Sequence, residues 1–104
     1  MTSKRYPTYD LGQLQERVRR GDLVVTRSAG ETAALLCFDE SDIVECVLAL
    51  TRRSFRKSME ADKRPGLWQD VYKTHHHSMP VYVKLQETLD DRTCVISFKL
   101  DEEP

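Results

Sequence analysis

The sequence lacks any long hydrophobic run: its longest apolar stretch is the six residues Ala33–Phe38, well short of the roughly 20 that a membrane-spanning helix requires. Its start, Met1-Thr2-Ser3-Lys4-Arg5, is basic but has no apolar segment behind it. No secretory signal peptide is therefore expected, and the chain is read as cytoplasmic, with no membrane partner. Cysteine is sparse. Cys37, Cys46 and Cys94 are odd in number and widely spaced, without a Cys-x-x-Cys pair, so a disulfide framework is not expected. Each has apolar neighbours and is expected to be a free, buried thiol acting as a small hydrophobe. Internal repeats, low-complexity segments and any sign of a second domain are missing too, so residues 1–104 are expected to form a single domain.

What is present suits a globular protein, with 39% hydrophobic and 32% charged residues. The formal net charge of −1 conceals an uneven distribution. Residues 1–50 hold six basic and eight acidic groups, and residues 85–104 hold two basic and six acidic. Between them, residues 51–84 hold eight basic groups (Arg52, Arg53, Arg56, Lys57, Lys63, Arg64, Lys73, Lys84) against Glu60, Asp62 and Asp70. A basic middle between acidic flanks is compatible with phosphate binding, and equally with an ordinary solvated surface.

Periodicity divides the chain into helices followed by strands. After an arm containing Pro7, Asp10 and Gln13 have the spacing of a capping box, Leu11, Leu14 and Val18 form one apolar stripe, and Gly21 supplies a stop. Leu23-Val24-Val25 is a short strand candidate. A second helix is expected over Ser28–Phe38. Asp39, Glu40, Ser41 and Asp42 then cap a third, carrying Ile43, Val47 and Leu50. Thr51 through Met59 reads as a short basic helix with Phe55 and Met59 an apolar i, i+4 pair, and Glu60–Gly66 as a loop. Beyond Gly66 the period becomes two: Trp68–Lys73, then Val81, Val83 and Leu85 alternating with Tyr82, Lys84 and Gln86. In the last strand Cys94, Ile96, Phe98 and Leu100 alternate with Thr93, Val95, Ser97 and Lys99, after a tight connection at Asp90-Asp91. The expected class is α+β, with N-terminal helices packed on a C-terminal antiparallel sheet.

If the apolar faces of the last two strands cover the helices, Tyr82, Lys84 and Lys99 project together from the other side. Whether Gln69 joins them depends on register, since a slip of one residue inverts the face. Any antiparallel sheet with one wet face carries such residues as well.

These residues carry a family resemblance. Phe55-Arg56-Lys57-Ser58-Met59, Leu67-Trp68-Gln69-Asp70-Val71-Tyr72, Val81-Tyr82-Val83-Lys84 and Val95-Ile96-Ser97-Phe98-Lys99 resemble successive motifs of the motility quorum-sensing regulator (MqsR) toxins. Thr26-Arg27-Ser28-Ala29 resembles an early motif of the same family, and the likeness extends over roughly two thirds of the chain. The resemblance implies a RelE-like ribonuclease fold and a toxin that cleaves messenger RNA with no cofactor. It implies as partner an antitoxin that joins a zinc-binding domain to a DNA-binding helix-turn-helix, with operator DNA reached only through that antitoxin. The family's proposed catalytic positions fall on Lys57, Gln69, Tyr82 and Lys99. Residues 30–50, the His75-His76-His77 segment and the acidic Asp101-Glu102-Glu103 tail depart from the family pattern.

Metal-free RNA cleavage uses the 2′-hydroxyl of the substrate as nucleophile. A site must accept that proton, stabilise a phosphorane and protonate the departing 5′-oxygen. Lys57 and Lys99 suit the charge, Tyr82 the proton transfer, and Gln69 the positioning. A lysine acting as base needs a depressed pKa, which clustered cations and burial both supply. Arg56, Lys73 and Lys84 are expected to hold flanking phosphates of RNA or to be plain surface charge. Trp68 and Tyr72 are read as core residues, with base stacking as the alternative.

Three adjacent histidines in an extended segment point alternately to opposite sides, and no His-Glu-x-x-His frame accompanies them. They are read as a hairpin loop and not as a metal site. Two competing functions remain open at this level: an RNA- or protein-binding module without turnover, and a metal-dependent nuclease using the histidines.

Overall fold

The computed structural model describes residues 2–103. In chain order it contains β1 (Ser3–Lys4), α1 (Leu11–Arg19), β2 (Leu23–Val25), α2 (Arg27–Leu35) and α3 (Glu40–Ala49). A single 3-10 turn, Arg52–Ser54, leads into β3 (Phe55–Ala61), β4 (Arg64–His76), β5 (Met79–Glu87) and β6 (Thr93–Leu100). The six strands form one sheet in the order β1-β3-β4-β5-β6-β2. The expected α+β class holds. The sheet is larger than the expected meander and mixed, because β2 pairs parallel with β6 while the remaining pairs are antiparallel.

Helix ends follow local chemistry. Asp10 Oδ1 accepts the Gln13 amide at 2.9 Å, and Gly21, at φ 85°, turns the chain out of α1. The reciprocal capping box lies at α3: Asp39 accepts from the Asp42 amide and Asp42 from the Asp39 amide, at 3.0 and 3.1 Å. The other end of α3 is capped in trans, with Gln15 Nε2 donating to the carbonyls of Val47 and Leu50. Replacing Asp39 with Ala is expected to cost about 1 kcal/mol, read as a lower urea midpoint at unchanged m.

One apolar layer joins helices to sheet. Leu14, Val18, Ala29, Ala33, Ile43, Cys46 and Val47 from the helices meet Tyr72, Val81, Val83, Leu85, Val95 and Phe98 from the strands. Thr26 caps α2 by accepting the Ala29 amide, and its hydroxyl donates to the Ile96 carbonyl. The Thr32 hydroxyl likewise donates to the Phe98 carbonyl. Helix α2 thereby covers the edge of β6 beyond the short strand β2, which is how the fold blunts an otherwise open strand edge.

The structure corrects three local expectations. Thr51–Met59 is a 3-10 turn and a strand, not a helix. Its Phe55/Met59 spacing suits either, and pairing with β4 decides: Phe55 lies opposite Tyr72 and packs edge-on to it, with ring centroids 5.6 Å apart. Much of the expected loop Glu60–Gly66 is the β3–β4 hairpin. Cys46 and Cys94 are buried as expected, and burial pushes the Cys46 thiol up to about 12. Cys37 is exposed, because it follows α2 in a left-handed conformation that takes it off the helix's apolar stripe.

Candidate active face of the sheet

Two β-bulges decide which residues share the sheet face turned away from the helices. In the β3–β4 pair, Phe55 lies opposite Tyr72 and Lys57 opposite Val71. Two residues of β3 thus match one of β4, and the bulge at Arg56 sends Lys57 to the face opposite Phe55. In β6 the register steps from Lys84↔Ser97 to Leu85↔Val95. The extra residue, Ile96, breaks the expected alternation: Val95 and Thr93 join Phe98 toward the helices, and Cys94 turns the other way.

Cross-strand partners in an antiparallel sheet lie on one face, so the outer face forms a grid. One row is Lys73, Tyr82 and Lys99; the next is Lys57, Val71, Lys84 and Ser97. A third holds Met59, Gln69 and Gln86, with Gln69 Nε2 donating to Gln86 Oε1 at 3.1 Å. Lys57, Gln69, Tyr82 and Lys99 are therefore brought to a single face, on four neighbouring strands. Three strand spacings across and one row along set the backbones of Lys57 and Lys99 about 16 Å apart. They flank the group and do not touch.

Lys84 sits in the middle. It is the cross-strand neighbour of Val71 and lies two residues from Tyr82. Val71 is only 1% exposed although its register puts it on the outer face, between Lys57 and Lys84 of the neighbouring strands, an apolar position of the kind lysine stems cover. This apolar floor affects the charges above it. Burial, and then the charges of Lys99 and Lys57, hold the Lys84 ammonium below the usual lysine range, against an opposing pull from Asp62. Burial, and then Asp101, push the Tyr82 phenol above its usual value. Lys99 Nζ stands 5.0 Å from the Tyr82 ring centroid and Lys84 Nζ 5.9 Å. Strand alternation had already placed Lys84 beside Tyr82; its central position required the register.

The other expected contacts are placed differently from one another. Lys73 is paired with the acidic tail, its Nζ 3.2 Å from Asp101 Oδ1 and donating to the Glu103 carbonyl at 2.8 Å. Arg56, the bulged residue, is exposed and donates to the carbonyls of Arg53 and Phe55. A cleft of about 550 Å³ borders the grid, lined in part by Thr32, Leu35, Tyr82, Lys99 and Asp101. Trp68 and Tyr72 both lie on the inner face, but only Tyr72 is a core residue as expected; Trp68 is half-buried and stands outside the core cluster. Tyr72 is fully buried, and Lys4 Nζ stands 4.2 Å over the Trp68 ring.

The family model described as "Motility quorum-sensing regulator, toxin of MqsA" matches residues 6–100. The chain belongs to the MqsR toxin family. The match takes in residues 30–50 and the histidine segment, where the motif resemblance was weakest. A relative from Escherichia coli (strain K12), "mRNA interferase toxin MqsR", is 32% identical over 96 residues, covering 92% of this chain and 96% of that protein. The α+β architecture is consistent with the RelE-like fold implied for MqsR toxins. Among the described residues, no helix is long and apolar enough to cross a membrane.

Proposed function

We propose that this MqsR-family chain is a single-domain messenger RNA endoribonuclease, acting in the cytoplasm as the toxin of an antitoxin pair and cutting without a metal. The observation that carries the reading is the convergence of Lys57, Gln69, Tyr82 and Lys99 on one sheet face around Lys84. The directions of the two shifts, Lys84 lowered and Tyr82 raised, suit these neighbouring groups to the roles of base and acid.

In the proposed reaction the neutral Lys84 amine takes the proton of the 2′-hydroxyl, whose oxygen attacks the adjacent phosphorus. Lys57 and Lys99 bear on the phosphorane charge from either side. The P–O5′ bond breaks and the departing oxygen takes the Tyr82 phenolic proton, which the Lys84 ammonium then restores. Gln69, with its amide nitrogen engaged by Gln86, offers its carbonyl oxygen to the ribose. The products are a 2′,3′-cyclic phosphate and a 5′-hydroxyl. Lys84 thus adds proton transfer to the phosphate holding expected of it, while Arg56 and Lys73 contact flanking phosphates, Lys73 after exchanging its acidic tail for RNA. The antitoxin is taken to be the zinc-binding, helix-turn-helix type, through which the toxin reaches operator DNA.

The test incubates purified protein with RNA in the presence of a chelator and identifies the end groups. Cleavage is expected to persist with cyclic phosphate ends, and to disappear in the variant with Lys57, Gln69, Tyr82 and Lys99 all changed to Ala. No cleavage by the wild type would instead indicate a binding module, and chelator-sensitive cleavage a metal enzyme.

A further inference from the structure

The expectation that the three histidines point apart fails at one residue. His77 and Ser78 form the β4–β5 turn with φ of 50° and 67°, left-handed conformations that non-glycine residues adopt only at a cost. That turn folds His77 back over His76. Their rings stack with centroids 4.1 Å apart and Phe38 set edge-on to both.

Helix α3 faces the pair with Asp42 and Glu45, three residues apart and hence on one side of the helix. His76 Nε2 lies 3.4 Å from Asp42 Oδ1, His77 Nδ1 4.0 Å from the same oxygen, and His77 Nε2 3.7 Å from Glu45 Oε1. One donor atom from each of the four lies within 4.8 Å of all the others. Ligand atoms around a tetrahedral zinc ion are about 3.3 Å apart, given bonds of about 2.0–2.1 Å. The cluster therefore needs to contract by about 1.5 Å at most. Its two exposed members, His77 and Glu45, are free to supply that movement.

We propose that Asp42, Glu45, His76 and His77 bind a divalent first-row transition ion, with zinc the best fit, which clamps the β4–β5 hairpin to α3. Two imidazole nitrogens and two carboxylate oxygens match zinc in donor type and balance its charge. Two members are already held in place: His76 is only 6% exposed against Phe38, and Asp42 Oδ2 accepts the Asp39 amide, leaving Oδ1 for the ion. Such supporting contacts are what orient metal ligands. The positive N-terminal end of α3 opposes a cation, and the paired carboxylates offset it. The cluster lies on the helix side of the sheet, opposite the lysine grid, so its ion takes no part in RNA cleavage and its failure would leave that proposal untouched.

Tag-free protein titrated with zinc chloride by calorimetry is expected to bind one equivalent and to melt at a higher temperature as zinc rises. His77→Ala and Glu45→Gln, both at exposed positions, should each weaken zinc binding at least tenfold while melting like the wild type without metal. His75→Ala, on the other face, should bind as the wild type does. Cobalt should give a tetrahedral d–d spectrum without a thiolate charge-transfer band, which separates this site from binding at Cys37. The proposal is overturned by absent stoichiometric binding, by wild-type affinity in both His77→Ala and Glu45→Gln, or by a thiolate band.

Discussion

Lys84→Ala is expected to lower kcat/KM for RNA cleavage by about 100-fold or more, the range for removing a general acid or base. Lys84→Arg separates the two roles open to this residue. Arginine keeps the positive charge but does not give up its proton near neutral pH. RNA binding should then stay close to wild type while turnover stays low. Substitution by Arg that restores turnover would reduce Lys84 to a phosphate contact.

The pH profile adds a signed test. A base must be neutral, so activity falls as pH drops through the Lys84 pKa, and its lowering moves that limb below where an ordinary lysine would put it. An acid must be protonated, so activity falls as pH rises through the Tyr82 pKa, and its elevation moves that limb upward. The two shifts together widen the range in which both groups hold the required form. Tyr82→Phe should remove the alkaline limb, and Lys84→Ala the acidic one.

The second large effect concerns stability. Asp70 is fully buried, and its carboxylate accepts the Thr8 amide at 3.0 Å and the Tyr9 amide at 2.9 Å, pinning the N-terminal arm beneath the sheet. Beside it the hydroxyls of Thr8 and Ser58 share a 2.6 Å hydrogen bond, and Tyr9 donates its phenolic proton to the Trp68 carbonyl. Asp70→Ala orphans two partly buried amides and empties a fully buried position, and should cost about 3 kcal/mol, on the order of 15 °C in Tm for a domain of this size. Asp70→Asn keeps the shape and one acceptor and should cost less. A melting curve for Asp70→Ala within 3 °C of wild type would refute this role.

Asp70 also shows what a motif holds without announcing. Within Trp68-Gln69-Asp70-Val71-Tyr72, alternation gives Gln69 and Val71 to the outer face, and Asp70 and Tyr72 to the inner. Nothing local says that Asp70 anchors an arm 62 residues away in sequence. The same holds for Lys73, whose pairing with Asp101 joins two stretches that look unrelated along the chain.

The sequence alone determined the α+β class, the three α-helices, strands β2, β5 and β6, and the middle of β4, because periodicity and capping are local properties of side chains. It also determined, through its motifs, the family and four residues that proved to share a face. Tertiary structure decided the rest. Only pairing with β4 made Phe55–Ala61 a strand, and only the bulges at Arg56 and Ile96 set which way Lys57 and Val95 point. Only the left-handed turn at His77 brought two histidines together. Each of these depends on one added residue or one rotated peptide, whose energy is set by a partner distant in sequence.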